Sequence, residues 1–474
     1  MLSPSEYRRH DAIGLGSLIQ TGEVSPSELL ECAIQRAEEV NPELNALVHK
    51  AYDEARSTAA TLKPDTSGSL LQGVPFLIKE MSPVNGWPWT RGSRLFARDT
   101  AGSDSAIVQR FREAGLIPFG KTNIPELCLT ITTESRLYGP CNNPVSPGYS
   151  TGGSSGGAAA AVAAGIVPAA HGSDGGGSIR IPAACCGLFG LKPSRGLTVV
   201  DDDFGSAWSG MSVSHVLSRS VRDSAAFLDL LRLERPALFA LPDYQESYYQ
   251  SHSRSPGTLR VALQRQHPAG YPLHPDVLAS LDHAAALCER AGFVVEEQVP
   301  PVNYEQLGAA MGALINIHTA QIIQPELEKT GKSLEQAELE EATRRMAARG
   351  LKTPATGYLE AMDQLKTAER QMHAFHQRFD LVLSPVLSQP PAELGWLDMD
   401  GDIRDYASRF SAYSGFTALY NGTGQPSASL PLYTTAAGLP IGVMLSADWG
   451  QDHLLLQAAA MLESLQENGK PQGS

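Results

Sequence analysis

Apolar and polar positions change period several times along the chain, and the changes mark out its elements. Leu29, Leu30, Ala33, Ile34 and Ala37 recur at three- and four-residue steps, the stripe of an amphipathic helix. Ser25-Pro26-Ser27-Glu28 opens it, with a capping serine, a proline at the first helical position and a glutamate three residues after the cap. The period then collapses. Residues 74–78, Val-Pro-Phe-Leu-Ile, run apolar into Lys79, as a buried strand does. Residues 105–114 return to helical spacing and stop at Gly115, 116–119 read as the next strand, and 155–164 as a helix ended by Gly165. Further on, 259–263, 293–296 and 381–383 read as strands, and 275–291 as a helix closed by Gly292. Residues 427–433 and 439–445 suggest a late hairpin through Gly438, with a helix from Asp452.

Strands alternating with helices predict an α/β fold with a largely parallel or mixed sheet. A chain of 474 residues, 42% hydrophobic and 19% charged, has the composition to bury a large core, as one large domain or two or three smaller ones. The Pro-, Tyr- and Ser-rich stretch 233–256 reads as a linker or an excursion. A formal charge of −14 with no basic stripe argues against nucleic acid as a ligand. The longest apolar run, 158–170, is mostly alanine, holds Pro168 and is too short to span a bilayer. The N-terminus lacks the basic and apolar regions of a secretory signal, and six cysteines occur without CxxC pairs. Free thiols in the cytoplasm are therefore expected. No spacing of metal ligands stands out, and neither metal nor cofactor is expected.

The chemistry concentrates in residues 152–180, where two glycine-flanked serines, Ser154 and Ser178, lie on either side of an apolar helix-forming segment. Gly175, Gly176 and Gly177 immediately precede Ser178, and glycines let backbone amides approach a ligand closely. A row of such amides beside a serine suits an oxyanion in acyl transfer. Two other patterns compete. Residues 115–122 satisfy GxxxxGK[ST], but a helix precedes them, their interior is apolar and Pro125 obstructs a following helix, so a strand after a turn is expected instead. GxSxG occurs in overlap at Ser150, Ser154 and Ser155, yet residues 142–147 are turn-forming and make a poor elbow strand. His171 reads as a hydrogen-bonded core histidine rather than the base such an elbow needs. Lys79 is the other candidate base. Bringing a lysine from ~10.4 to near neutrality takes roughly 4 to 5 kcal/mol of differential environment. Desolvation beside another cation, Arg180 or Lys192, is expected to supply it. Taken alone, a lysine ending a strand more often snorkels at the surface.

Taken together, GVPFLIKE (73–80), GKTNIPE (120–126), GGSSGG (152–157), SDGGGSIRIPAACCGLFGLKPSRG (173–196) and SRSVRD (218–223) resemble the amidase signature family. NGTGQPSASLP (421–431) and GLPIGVML (438–445) extend the likeness over nearly the whole chain. The resemblance implies a single large domain with a central mixed β-sheet flanked by helices on both faces. Its parts would be N-terminal helices (1–65), a signature core (66–232), a variable substrate-pocket region (233–380), the C-terminal part of the core (381–466) and a tail (467–474). It also implies roles: Lys79 as catalytic lysine, Ser154 as bridging serine on a cis peptide with Gly153, and Ser178 as nucleophile. The amides of Gly175, Gly176, Gly177 and Ser178 match the oxyanion hole, and Ser155, Asp174 and Arg180 match supporting positions. Gly175 stands where the family usually carries threonine or isoleucine, a change expected to loosen the oxyanion loop or widen the pocket.

The implied activity is hydrolysis of a small-molecule carboxamide, linear or cyclic, through an acyl-enzyme. The chain looks more like bacterial members related to 6-aminohexanoate-cyclic-dimer hydrolase than like the glutamyl-tRNA amidotransferase A subunit. Phe204, Trp208, Met311 and Ile315 are the candidate pocket walls. The rivals are a glutaminase subunit supplying ammonia to a partner, an esterase, and a non-catalytic relative. A homodimer is the assembly left open.

Overall fold

The computed structural model describes residues 2–62, 69–201, 207–233 and 244–468. Its frame is an eight-stranded sheet in the order Val294–Glu297, Arg260–Leu263, Leu381–Pro385, Pro440–Ala447, Ser427–Thr434, Phe189–Lys192, Val213–Ser218, Ala169–Asp174. The first three strands run parallel and every later pairing is antiparallel, so the sheet is mixed. A three-stranded sheet sets Ile117–Thr122 between Leu47–Lys50 and Pro75–Lys79. Pro75–Lys79 (β1) lies beside Ala169–Asp174 (β2), the end strand of the larger sheet.

Helices cover both faces. Val221–Leu231, Pro275–Arg290 and Asp452–Asn468 pack through Leu228, Leu281 and Leu455 on one core. Tyr304–Thr330, Glu341–Gly350 and Ala355–His376 build another with Ile181, Ala184 and Met444. A third core joins the N-terminal helices to the smaller sheet and to Gly156–Ala163 (α1).

Most periodic segments take the expected form. The capping box at Ser25 and Glu28 opens helix Pro26–Leu44. Within the GxxxxGK[ST] pattern, Ile117–Thr122 is a buried strand, and the Lys121 amine donates to the carbonyls of Glu80 and Pro88. β2 departs from expectation. Its sequence, Ala-Ala-His-Gly-Ser-Asp, has little strand character, and full register with Val213–Ser218 makes it a strand. The segment between Ser154 and Ser178 is thus a helix followed by a strand. In the stretch expected as a linker, residues 234–243 lie outside the described residues, while Tyr248 is buried in a core, so this part is a packed excursion. All but the first two residues of the expected tail lie outside the described residues, and the final helix runs to Asn468.

Candidate active site

β1 is a strand because its bulky apolar residues are buried on both faces and pair with Ile117–Thr122. That burial carries its last residue, Lys79, wholly out of solvent. The Lys79 Nζ lies 2.8 Å from Ser154 Oγ, 2.9 Å from Ser173 Oγ and 3.3 Å from the Ser173 carbonyl. Among the described residues it forms no ion pair. Burial lowers the pKa of this amine, and the Cys128 thiol and the Asp174 and Asp201 carboxylates pull it back up. The expected cations are not leading influences: Arg180 is neutralised by Asp174, and Lys192 donates to the Pro193 carbonyl.

Ser154 precedes α1 in a turn whose Gly153–Ser154 peptide is cis. A side chain at residue 153 would stand 2.3 Å from the Thr132 carbonyl oxygen, so only glycine fits this approach. Ser155 binds backbone on both sides, its amide to the Ser178 carbonyl at 3.2 Å and its hydroxyl to the Ser173 carbonyl at 3.3 Å.

Ser178 sits between β2 and helix Arg180–Cys186 (α2), in a loop organised by Asp174. The Asp174 carboxylate accepts from the amides of Gly177 (2.8 Å), Ile179 (3.1 Å) and Arg180 (3.3 Å), and from Arg180 Nε (3.0 Å) and Asn421 Nδ2 (2.9 Å). These donors hold it well below the usual carboxylate range despite burial. Arg180, also wholly buried, donates to the Thr417 carbonyl and to Asn421 Oδ1. One amide of the expected oxyanion row already has an acceptor. The Gly176–Gly177 peptide is pinned at both ends, its N–H on Asp174 and its carbonyl on Thr417 Oγ1 at 2.6 Å. The Gly177 amide therefore holds the loop, whereas those of Gly176 and Ser178 meet no acceptor among the described residues.

Ser154 and Ser178 line one cleft of about 800 Å³, a volume that takes in the solvent-open space at its mouth. Its walls are apolar at Met81, Leu127, Val200, Trp208 and Ile322 and polar at Cys128, Asp201, His318 and Gln321. Of the expected pocket walls that are described, only Trp208 is here. Met311 is buried in a core and Ile315 packs against it, while Phe204 lies outside the described residues. His171 is buried beneath β1, accepting from the Lys79 amide, and does not line the cleft. Ser150 is likewise buried away from it. Nor is the pocket widened at Gly175, where the Trp208 indole occupies the space. Sequence reasoning missed Ser173, Asn421, Thr417, Cys128 and His318. A buried arginine demands acceptors, but only folding brings residues 417 and 421 to it.

The Amidase family profile matches residues 28–456, and the chain belongs to that family. It is a hydrolase of the amidase class, acting on carbon–nitrogen bonds other than peptide bonds. The 6-aminohexanoate-cyclic-dimer hydrolase of Paenarthrobacter ureafaciens is 34% identical to it over 477 residues, 96% of this chain and 94% of that protein. The structure of a 6-aminohexanoate cyclic dimer hydrolase complexed with substrate superposes with a TM-score of 0.89 at 33% identity, covering 98% of each chain. A bacterial aryl acylamidase of the amidase signature enzymes gives 0.85 at 28% identity over 98% of this chain and 99% of the other.

Proposed function

We propose that this chain hydrolyses a medium-sized, uncharged carboxamide, linear or cyclic, through an acyl-enzyme on Ser178. The observation that carries this reading is the buried Lys79 amine, 2.8 Å from Ser154 Oγ and without a carboxylate in hydrogen-bond contact. A neutral amine has two hydrogens and one lone pair. The two hydrogens suit the Ser173 hydroxyl and carbonyl, which leaves the lone pair to accept from Ser154. Lys79 takes that proton, Ser154 takes the proton of Ser178, and the Ser178 oxygen bonds to the amide carbon. Charge on the carbonyl oxygen then builds against the Gly176 and Ser178 amides, with Gly175 beside them, where losing one such donor costs about 10²–10³ in rate. Ser154 returns a proton to the leaving nitrogen as the C–N bond breaks, and water releases the acyl group as carboxylate. Ser155, Asp174 and Arg180 keep the loop in register.

The hydrolases of 6-aminohexanoate cyclic dimer support an aliphatic amide without net charge as the substrate class. Glutamine is the poorer candidate. No guanidinium lines the described wall to pair with its α-carboxylate, which weighs against an ammonia-supplying subunit. Six unpaired cysteines support a cytoplasmic setting. In purified protein, Ser178→Ala and Lys79→Ala are each expected to lower turnover at least about a thousandfold, because nucleophile and base act as a unit. A fluorophosphonate should label Ser178. Wild-type-like rates in either folded variant, or a label on Ser150, would overturn the assignment.

A further inference from the structure

We propose that Trp208 sets the substrate specificity of this cleft and that Gly175 is its seat. The indole, laid on the loop that carries Ser178, admits flat or straight-chain acyl groups and rejects branching next to the scissile carbonyl. The inference rests on Ser178 as the nucleophile.

The three loop glycines are glycine for different reasons. Gly177 has φ +133, a conformation side chains rarely adopt. Gly176 would carry a side chain into open space. Gly175 has no such backbone demand, yet a Cβ there would lie 2.7 Å from both Cε3 and Cζ3 of Trp208. Those are atoms of a rigid ring, so a side chain at 175 and the indole in this position exclude each other.

The indole is a fixed wall. Trp208 and Ser209 are consecutive non-glycine residues in left-handed backbone, with φ 52 and 57, a conformation that costs on the order of 1–3 kcal/mol each and persists only where its surroundings enforce it. Here they do. The Met211 amide donates to the Trp208 carbonyl at 3.1 Å, and Arg195 Nε to the Gly210 carbonyl at 3.0 Å. Ser209 Oγ bonds His318 Nε2 at 3.0 Å and lies 3.2 Å from the Tyr358 hydroxyl. Asn421, which also binds Asp174, reaches the Met211 carbonyl at 3.1 Å. One side chain thus ties the nucleophile's loop to the wall's loop, so the two cannot shift independently.

Leu127 and Ile322 add apolar surface to the same cleft. A π face suits an aryl ring or an extended methylene chain. A substituent on the carbon beside the carbonyl, as in an α-amino-acid amide, needs the volume the indole fills.

The test compares kcat/KM of the full chain for butanoyl, 2-methylpropanoyl and benzoyl 4-nitroanilides. The wild type is expected to favour the butanoyl and benzoyl compounds over the branched one by about tenfold or more, the scale a shaped pocket supplies. Trp208→Ala should remove that preference, with the branched substrate gaining, and Trp208→Phe should keep most of it. Gly175→Ala should slow all three, and adding Trp208→Ala should restore part of the loss. If Trp208→Ala does not fold, Trp208→Leu, which leaves apolar contact but frees the space of the second ring, reads the same ratio. A wild type indifferent to branching, or folded variants with an unchanged ratio, overturns the proposal. Full activity in Ser178→Ala would instead overturn the nucleophile beneath it.

Discussion

The corner that holds Ser178 and the wall that faces it are built on opposite plans. In the corner, Asp174 binds residues three, five and six positions along the chain. The wall ties Ser209, the residue after Trp208, to His318 and Tyr358, more than a hundred positions along the chain. Local bonds shape the nucleophile's loop, and Asn421 and Thr417 anchor it at long range. That division suits an enzyme class in which one chemistry serves many amides.

Breaking the corner should cost most. Asp174→Asn leaves Arg180 without its full counter-charge in a wholly buried site, and losing one partner of such a pair destabilises by about 3–5 kcal/mol. A large fall in Tm by calorimetry, together with loss of turnover, is expected; wild-type stability would mean the corner is not held by this carboxylate. The next effect is on proton transfer. Protonated Lys79 cannot accept a proton, so below its lowered pKa kcat/KM should fall about tenfold per pH unit, an acid limb absent on the alkaline side. His171→Phe should leave that limb in place. Burial, then the nearby Lys79, pushes this imidazole down to about 3, so it is already neutral across the working range. A limb that moves with His171 would break the assignment of the base. The wall should respond least. His318→Ala removes the partner of Ser209 Oγ and Gln321, and is expected to raise KM roughly fivefold with kcat little changed, the scale of one hydrogen bond of about 1 kcal/mol. An equal loss in kcat would place His318 in the corner's chemistry instead.

The same contrast explains what could be read beforehand. The run ending at Lys79 and the glycine-serine block announce themselves because their partners are near in sequence or their residue types are unusual. Trp208 is nameable from the sequence, but Met311 and Ile315, apolar residues of the variable region, are core. Periodicity reports that a residue is buried, not whether a cavity or another helix buries it. Asn421 and Thr417 lay in or beside a segment already singled out, yet their partners were two hundred residues away. β2 was read through because its strand state is dictated by pairing rather than by its residues. That the Gly177 amide is engaged by Asp174 is not legible in the sequence, because a glycine row says which amides are near an anion, not which already have an acceptor.

Lys79 ends a strand of one sheet, while Ser173 belongs to the neighbouring sheet and Ser154 and Ser178 to the turns around it; among the described residues no backbone ladder joins the two sheets. The reactive groups therefore straddle the boundary between two separate ladders. Parting the sheets by the width of one water would uncouple the amine from its hydroxyls and leave both ladders whole, so a molecule could lose its chemistry while its spectrum still reported an intact fold.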